Sequence, residues 1–327
     1  MREGVRVSVI VPAYNEAASI GRCLEALVAQ TRAPEEIIVV DDGSTDTTAQ
    51  IAASHGVRVI RQANQGAAAA RNRGVEASTG SLLLFTDADC APVPEWAARL
   101  VAAFSDPEVA GVKGTYLTAQ RSLVARFVQL EYESRYRRMR RQASIDFIDT
   151  YSAGYRRDVF EAVGGFDEAI RFVEDQELSF RIAAAGHRLV FVPEARVYHY
   201  HVETIGAYVR LKAHIGYWKA RVVREYPDKL VRDSHTPQVL KLQIGLAAMG
   251  ALLLVLGWVR VGFVWAGLVA WGGLVVSGLP FILRILQRDP PVAFLAPLMI
   301  VVRAWALGLG FLIGAVSLLR MRFRRLF

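Results

Sequence analysis

Leu82-Leu83-Leu84-Phe85-Thr86-Asp87-Ala88-Asp89 is the stretch on which the reading of this chain turns. Its apolar half reads as a strand buried in a parallel sheet, and its polar half sets two carboxylates one residue apart at the C-terminal edge of that strand. Such a pair can share a divalent cation and a ribose, which suits a nucleotide diphosphate. Aspartate is common in turns, so the motif gains its weight from its company. Val7-Ser8-Val9-Ile10-Val11 runs into Pro12-Ala13-Tyr14-Asn15-Glu16, and Ile37-Ile38-Val39-Val40 runs into Asp41-Asp42-Gly43-Ser44-Thr45-Asp46. Three strands ending in polar loops predict an α/β fold with a mostly parallel sheet flanked by helices, and a ligand where the strand ends meet.

Crossover helices are expected over Ala17 to Gln30, with Ile20, Leu24, Leu27 and Val28 on one face and Asn15 as N-cap, over Asp46 to Ser54, and over Gln65 to Glu76. Arg71 on the third is placed to bind phosphate bidentately. Asp41 or Asp42 can accept a hydrogen bond from a base imide or a ribose hydroxyl, and Tyr14 can stack on the base. No Gly-x-Gly-x-x-Gly turn follows the first strand and no Gly-x-x-x-x-Gly-Lys occurs, which disfavours a dinucleotide dehydrogenase and a P-loop enzyme. The phosphates must then be held another way, and a metal on Asp89 supplies it.

A second polar cluster follows in Tyr151-Ser152-Ala153-Gly154-Tyr155, Gly164-Gly165-Phe166-Asp167 and Val173-Glu174-Asp175, where Glu174 and Asp175 open a helix running to Ala185. Acids at a helix N-terminus are often only caps. Facing Asp87 and Asp89, they are placed to take a proton from an attacking hydroxyl.

Taken in order, Pro12-Ala13-Tyr14-Asn15-Glu16, Asp41-Asp42-Gly43-Ser44, Ala70-Arg71-Asn72, Asp87-Ala88-Asp89, Gly164-Gly165-Phe166-Asp167 and Glu174-Asp175 make the chain resemble an inverting glycosyltransferase of the family-2 type, with the GT-A (nucleotide-diphospho-sugar transferase-like) fold. The resemblance implies that Pro12, Tyr14, Glu16, Asp41, Asp42, Arg71 and Asp87 hold the nucleotide sugar and that Asp89 binds Mg²⁺ or Mn²⁺ on the diphosphate. It also implies that Asp175, beside Glu174, is the general base of a single inverting displacement. His199 is a further expected metal ligand. In Val197-Tyr198-His199-Tyr200-His201 the two histidines are expected on one face of a strand. Processive members of the family carry Gln-x-x-Arg-Trp. Here His214-Ile215-Gly216-Tyr217-Trp218 keeps only the tryptophan, which argues for adding one sugar or a few.

Hydrophobic residues make up 53% of the 327, an excess that sits at the C-terminus. Val239 to Val259 and Val261 to Leu283 are each long enough to cross a bilayer, and Val292 to Leu319 is a third such stretch, interrupted by Arg303. The expected organisation is a GT-A catalytic domain over 1–203, an amphipathic interfacial helix and linker over 204–238, and a membrane region of two or three helices over 239–327. Arg284 and Arg288 favour the cytoplasmic side, as do Arg320, Arg322, Arg324 and Arg325, and three full crossings cannot satisfy both groups. A re-entrant or interfacial third stretch would resolve the conflict, and the number of full crossings stays open between two and three.

The first apolar run is short and strand-like, so a signal peptide is not expected and the catalytic half should be cytoplasmic, on a multi-pass protein of the cell (inner) membrane. Cys23 and Cys90 fit a reduced compartment. The net charge of +8 reads as a membrane footprint rather than a nucleic-acid one. Its densest run is Arg135, Arg137, Arg138, Arg140 and Arg141, continuing a segment whose apolar side, with Leu123, Val124, Phe127 and Leu130, is expected to lie in the headgroup plane. Thr204 to Arg224 is a second basic amphipathic stretch.

Membrane helices on such an enzyme point to a lipid-linked acceptor. If that acceptor is a polyprenyl phosphate, it is already anionic and Asp175 matters less as a base. A catalytically inactive membrane scaffold that binds a nucleotide sugar is the competing class, and the intact carboxylates argue against it.

Overall fold

The strand Val7–Ala13 (β1) is apolar at nearly every position because both of its faces are covered, and it forms the middle of the parallel half of the sheet. The computed structural model describes residues 5–230 and 236–324. They divide into two compact units, one of residues up to Ala119 with Tyr136–Tyr200, the other of Gln120–Arg135 with the residues from His201 onward.

In the first unit β1 is followed by α1 (Ile20–Val28), β2 (Glu36–Asp41), α2 (Thr48–Ser54), β3 (Arg58–Arg61), α3 (Ala67–Glu76) and β4 (Leu82–Phe85). Then come β5 (Cys90–Pro92), α4 (Trp96–Ala103), β6 (Val109–Leu117), α5 (Leu123–Met139), β7 (Ala153–Arg156), α6 (Arg157–Ala162), α7 (Glu174–Ala184) and β8 (Arg188–His199), with α5 running across the division between the units. The sheet order is β3-β2-β1-β4-β7-β6-β8-β5. β1 pairs in parallel with β2 on one side and β4 on the other, so the chain reverses its direction of travel across the sheet at β1. A crevice opens beyond the carboxyl ends of strands at such a point. β7 runs antiparallel between β4 and β6, and β5 runs antiparallel to β8.

Several local expectations change. Asn15 does not cap the first helix, which starts only at Ile20 after a turn in which Ser19 and Ile20 donate to the Glu16 carbonyl. Asn15 instead sits at φ 56°, where its side chain accepts from the Thr45 amide at 2.8 Å and pins the loop after β2. β8 ends at His199, so the two-residue alternation does not extend to His201, whose Nε2 meets Gln129 Oε1 at 3.0 Å in the second unit.

The second unit contains α8 (Ile205–Glu225), α9 (Gln238–Leu256), α10 (Gly262–Ser277), α11 (Leu279–Leu286) and α12 (Pro290–Arg324). α9 and the first 30 residues of α12 are long and apolar enough to cross a membrane, and α10 with α11, bent by 43°, qualifies only as a pair. The break thus falls at Gly278 in the second apolar stretch, while α12 runs through Arg303 without interruption. Arg303 is tolerated because its guanidinium pairs with Glu131 and donates to Gln243 at 2.7 Å. Glu131 also accepts from Lys212 at 3.2 Å and from the Tyr208 hydroxyl at 2.9 Å. Of the apolar side expected in the headgroup plane, Val124 and Phe127 are buried, Phe127 against Tyr208 and Phe281, while Leu123 is 40% exposed. Arg325 lies outside the described residues.

Candidate active site

β4 delivers the Asp-x-Asp pair to the crevice. Its last residue, Phe85, is wrapped by Tyr155, Phe160 and Phe166, and the Thr86 hydroxyl donates to the Tyr151 carbonyl at 2.9 Å. Asp87 and Asp89 therefore leave a rigid floor. Arg71, on α3 and only 5% exposed at its side chain, donates to Asp87 Oδ1 at 2.8 Å and to Glu174 Oε1 at 2.5 Å. One guanidinium thus joins the loop after β4 to the N-terminus of α7. Glu16, from the loop after β1, belongs to the same group: burial first, and then the charges of Asp89 and Asp87, hold its carboxyl above the usual range.

The start of α7 is fixed by a clamp on the double-glycine turn. Asn72 accepts from the Phe166 amide at 3.0 Å and donates to the Phe166 carbonyl at 2.9 Å, and Gly165 takes φ +66°, a left-handed conformation that side chains rarely adopt. Val173, just before α7, is at φ 63°. A β-branched residue there is strained, and strain of this kind gathers at functional sites. Asp175 is pushed up to about 7, by burial first and by the neighbouring Glu174 charge second. Asp87 is also raised, chiefly by burial, against the pull of Arg71.

On the other side of the Asp-x-Asp pair, Asp89 Oδ2 lies 3.0 Å from His199 Nε2. Burial raises the Asp89 carboxyl, but hydrogen bonding and charge from His199 outweigh it and leave it lowered. Cys90 Sγ is 3.5 Å from Asp89 Oδ1, and the donor atoms of Asp89, Cys90 and His199 all lie within 4.8 Å of one another. Carboxylate and imidazole together suit Mn²⁺ and related divalent ions, so the residues present fit a metal. Burial pushes the Cys23 and Cys90 thiols up.

Other expected residues have different partners from those anticipated. Asp42 is 2% exposed, and its carboxylate accepts from Gln62 Nε2 at 2.8 Å, the Gln65 amide at 2.9 Å and the Gly66 amide at 2.8 Å. Asp41, fully buried, accepts from Arg61 Nε at 3.0 Å and the Ser44 amide at 3.3 Å. Both shape the loops at the ends of β2 and β3, Asp42 through three accepted bonds and Asp41 through two. Arg71 likewise gives its guanidinium to the carboxylates Asp87 and Glu174. Tyr14 is 49% exposed, and Pro12 lies opposite Val40 at the ends of β1 and β2.

Sequence reading missed a buried aromatic and cationic group behind His199. The His199 ring stacks on Tyr116 at 4.4 Å between centroids, and Tyr116 stacks on Tyr151. The Tyr151 hydroxyl is 2.7 Å from that of Tyr136 and accepts from Lys113 Nζ at 3.3 Å, and Lys113, 1% exposed, pairs with Asp149. A lysine inside a run of buried strand residues is a signal of a compensated charge, but its partner, 36 residues on, has no pattern of its own.

The profile of Glycosyl transferase family 2 matches residues 8–164. The glycosyltransferase AglE of Haloferax volcanii is 35% identical over 200 residues, covering 57% of this chain and 64% of that protein. The pre-mycofactocin glycosyltransferase of Mycobacterium tuberculosis is 30% identical over 233 residues, covering 68% of this chain and 48% of that protein. The chain thus spans less than two thirds of the length of either relative. Among solved structures, the mannosyltransferase PcManGT from Pyrobaculum calidifontis, in complex with GDP-Man and Mn²⁺, aligns with a TM-score of 0.57 at 20% identity over 95% of this chain and 86% of that one, a likeness of fold.

Proposed function

From the premise that residues 8–164 are a glycosyl transferase family 2 domain, we propose that the protein transfers a sugar from a nucleotide-diphosphate donor to a membrane-borne acceptor, with inversion at the anomeric carbon. The observation that carries this reading is the Arg71 bridge, which brings the donor-side carboxylate Asp87 and the α7 pair Glu174-Asp175 to one place. Asp87 and Glu16 face the sugar nucleotide, and Tyr14 covers the base. Asp89 and His199 would hold a divalent cation, and PcManGT, of similar fold, was solved in complex with GDP-Man and Mn²⁺. When bound, that ion offsets the charge developing on the departing nucleoside diphosphate.

Asp175 is the base. Its carboxyl, raised to about 7, is basic enough to take the proton of an acceptor hydroxyl while still ionised in an appreciable fraction at neutral pH. Arg71 orients Asp87 and Glu174, so the ionised partners around Asp175 stay fixed as it changes charge. The acceptor is membrane-borne on this reading because the same chain carries α9 and α12, each long and apolar enough to cross a bilayer. The catalytic half is placed in the cytoplasm, where nucleotide sugars are made.

The test is release of nucleoside diphosphate by the purified full-length protein, given a panel of nucleotide sugars, Mn²⁺ or Mg²⁺, and membrane lipid extract, with the glycosylated product read by mass spectrometry. Turnover that needs metal and is lost in both Asp89→Ala and Asp175→Asn supports the reading. Wild-type turnover in both variants would sink it.

A further inference from the structure

Cys90 has no part in that mechanism, yet it is the nearest neighbour of the residues assigned to the metal. β5 pairs antiparallel with β8 in the register Cys90↔His199. Residues directly opposite in an antiparallel pair project to the same face, so the thiol and the imidazole are brought together by the sheet and not by a mobile loop. Asp89 closes the group from the adjacent position, 3.0 Å from His199 Nε2 and 3.5 Å from Cys90 Sγ. Cys90 is 1% exposed, while the Asp89 and His199 side chains are 32% and 18% exposed, so an ion can reach the thiol from their side.

We propose that Asp89, Cys90 and His199 form a zinc site in which Cys90 supplies a thiolate ligand, so that Zn²⁺ binds there more tightly than Mn²⁺ or Mg²⁺ and competes for Asp89 and His199. Donors around a tetrahedral zinc stand about 3.4–3.6 Å apart when Zn–S, Zn–N and Zn–O take their usual lengths, and the three donor atoms already lie within 4.8 Å of one another. One oxygen, one nitrogen and one sulfur donor is a set for a borderline-soft ion. Three protein ligands leave the fourth position to water. Mn²⁺ and Mg²⁺ prefer oxygen and make little use of a thiolate, and Mn²⁺ stands at the weak end of the divalent affinity order. Binding forms a Zn–S bond and releases the Cys90 proton to solvent, with no change of oxidation state. Only the consequence rests on the glycosyltransferase reading: zinc held there suppresses turnover.

The experiment is a titration of the purified full-length protein, freed of metal, with Zn²⁺ by calorimetry and with Cd²⁺ as a spectroscopic stand-in whose thiolate charge-transfer band reports sulfur ligation. One ion per chain is expected, with the cadmium band in wild type and in Cys23→Ser but absent from Cys90→Ser. Zinc affinity should fall roughly tenfold or more in Cys90→Ser and in His199→Ala, while Cys90→Ser changes Mn²⁺ affinity less than twofold. No band in wild type, a band that survives Cys90→Ser, or one that vanishes with Cys23→Ser would overturn the site. Neither titration needs donor or acceptor. A Cys90-dependent band without turnover on any donor counts against the proposed function alone, and turnover without the band counts against the zinc site alone.

Discussion

At Asp175 a single ionisation sets the expected pH dependence. Its carboxyl is pushed up to about 7, and as the proposed base it would act in its ionised form, so kcat should rise as pH rises through about 7 and fall about tenfold per unit below it. The stability term has the opposite sense: because the folded value is raised, its contribution is present at low pH and is lost as pH rises through about 7. Asp175→Asn should flatten the profile and lower kcat by about 10²-fold or more, with donor KM nearly unchanged. Steady-state kinetics between pH 5.5 and 8.5, roughly the range over which such a group titrates, decide it. Arg71 is the other deciding residue. Arg71→Ala leaves Asp87 and Glu174 facing each other without their shared cation, and should cost about 3 kcal/mol in chemical denaturation along with most of the activity. Arg71→Lys should not restore turnover, since an ammonium lacks the fork that spans both acids. The acids themselves were legible in the sequence because each follows an apolar run or opens a helix. The role of Arg71 was not, since its partner Glu174 is 103 positions away and only the folded chain pairs them.

At the scale of elements, what could be read was whatever carried its own pattern. β1, β2 and β4 are buried runs of Val, Ile and Leu, and α7 opens with acids, so their places were visible beforehand. β5 is three residues long and β7 carries glycine at its centre, so neither has a period to read, and both exist because β8 and β4 offer them edges. The register of β5 on β8 is also what brings Cys90 to His199. Val173 shows the cost of positioning α7: a β-branched residue at φ 63° stores on the order of 1 kcal/mol. Val173→Gly should therefore leave stability unchanged or raise it by up to about 1 kcal/mol while lowering kcat, because the loop gains conformers in which Glu174 and Asp175 are misplaced. Thermal unfolding and turnover measured on the same preparation test the two halves together, and a stabilised variant with unchanged kcat would remove strain from the account.

For the molecule as a whole, contacts within the second unit bear on how many of the candidate spans would cross a bilayer. The link between α11 and α12 is tied to residues 120–135, with Arg288 on Glu133 at 2.5 Å and Asp289 on Arg126 at 2.5 Å. If α9 crosses a bilayer, the bent pair α10–α11 must return for that link to lie on the same side as residues 120–135. α12 then lies along α8, not apart from it: a Cβ on Gly310 would fall 2.1 Å from the Ala213 carbonyl and one on Gly314 would fall 2.2 Å from that of Tyr217. Small residues at a four-residue spacing allow that approach. α8 carries Arg210, Lys219, Arg221 and Arg224, too many charges for a span, so packing against it favours an interfacial α12 over a crossing one. Two crossings would keep Arg320, Arg322 and Arg324 on the same side as Arg284 and Arg288 and so remove the conflict between basic residues and crossing number. By length and composition α12 is a candidate span, and it is its packing on α8 that favours two crossings. A cysteine placed at Gln287 and a tag appended after Phe327 should accordingly be labelled from the same face of sealed vesicles. Labelling from opposite faces would mean that α12 crosses. Gly310→Val should destabilise the detergent-solubilised protein by about 1–3 kcal/mol through overpacking against α8, and a variant as stable as wild type would show that this contact does not hold α12 in place.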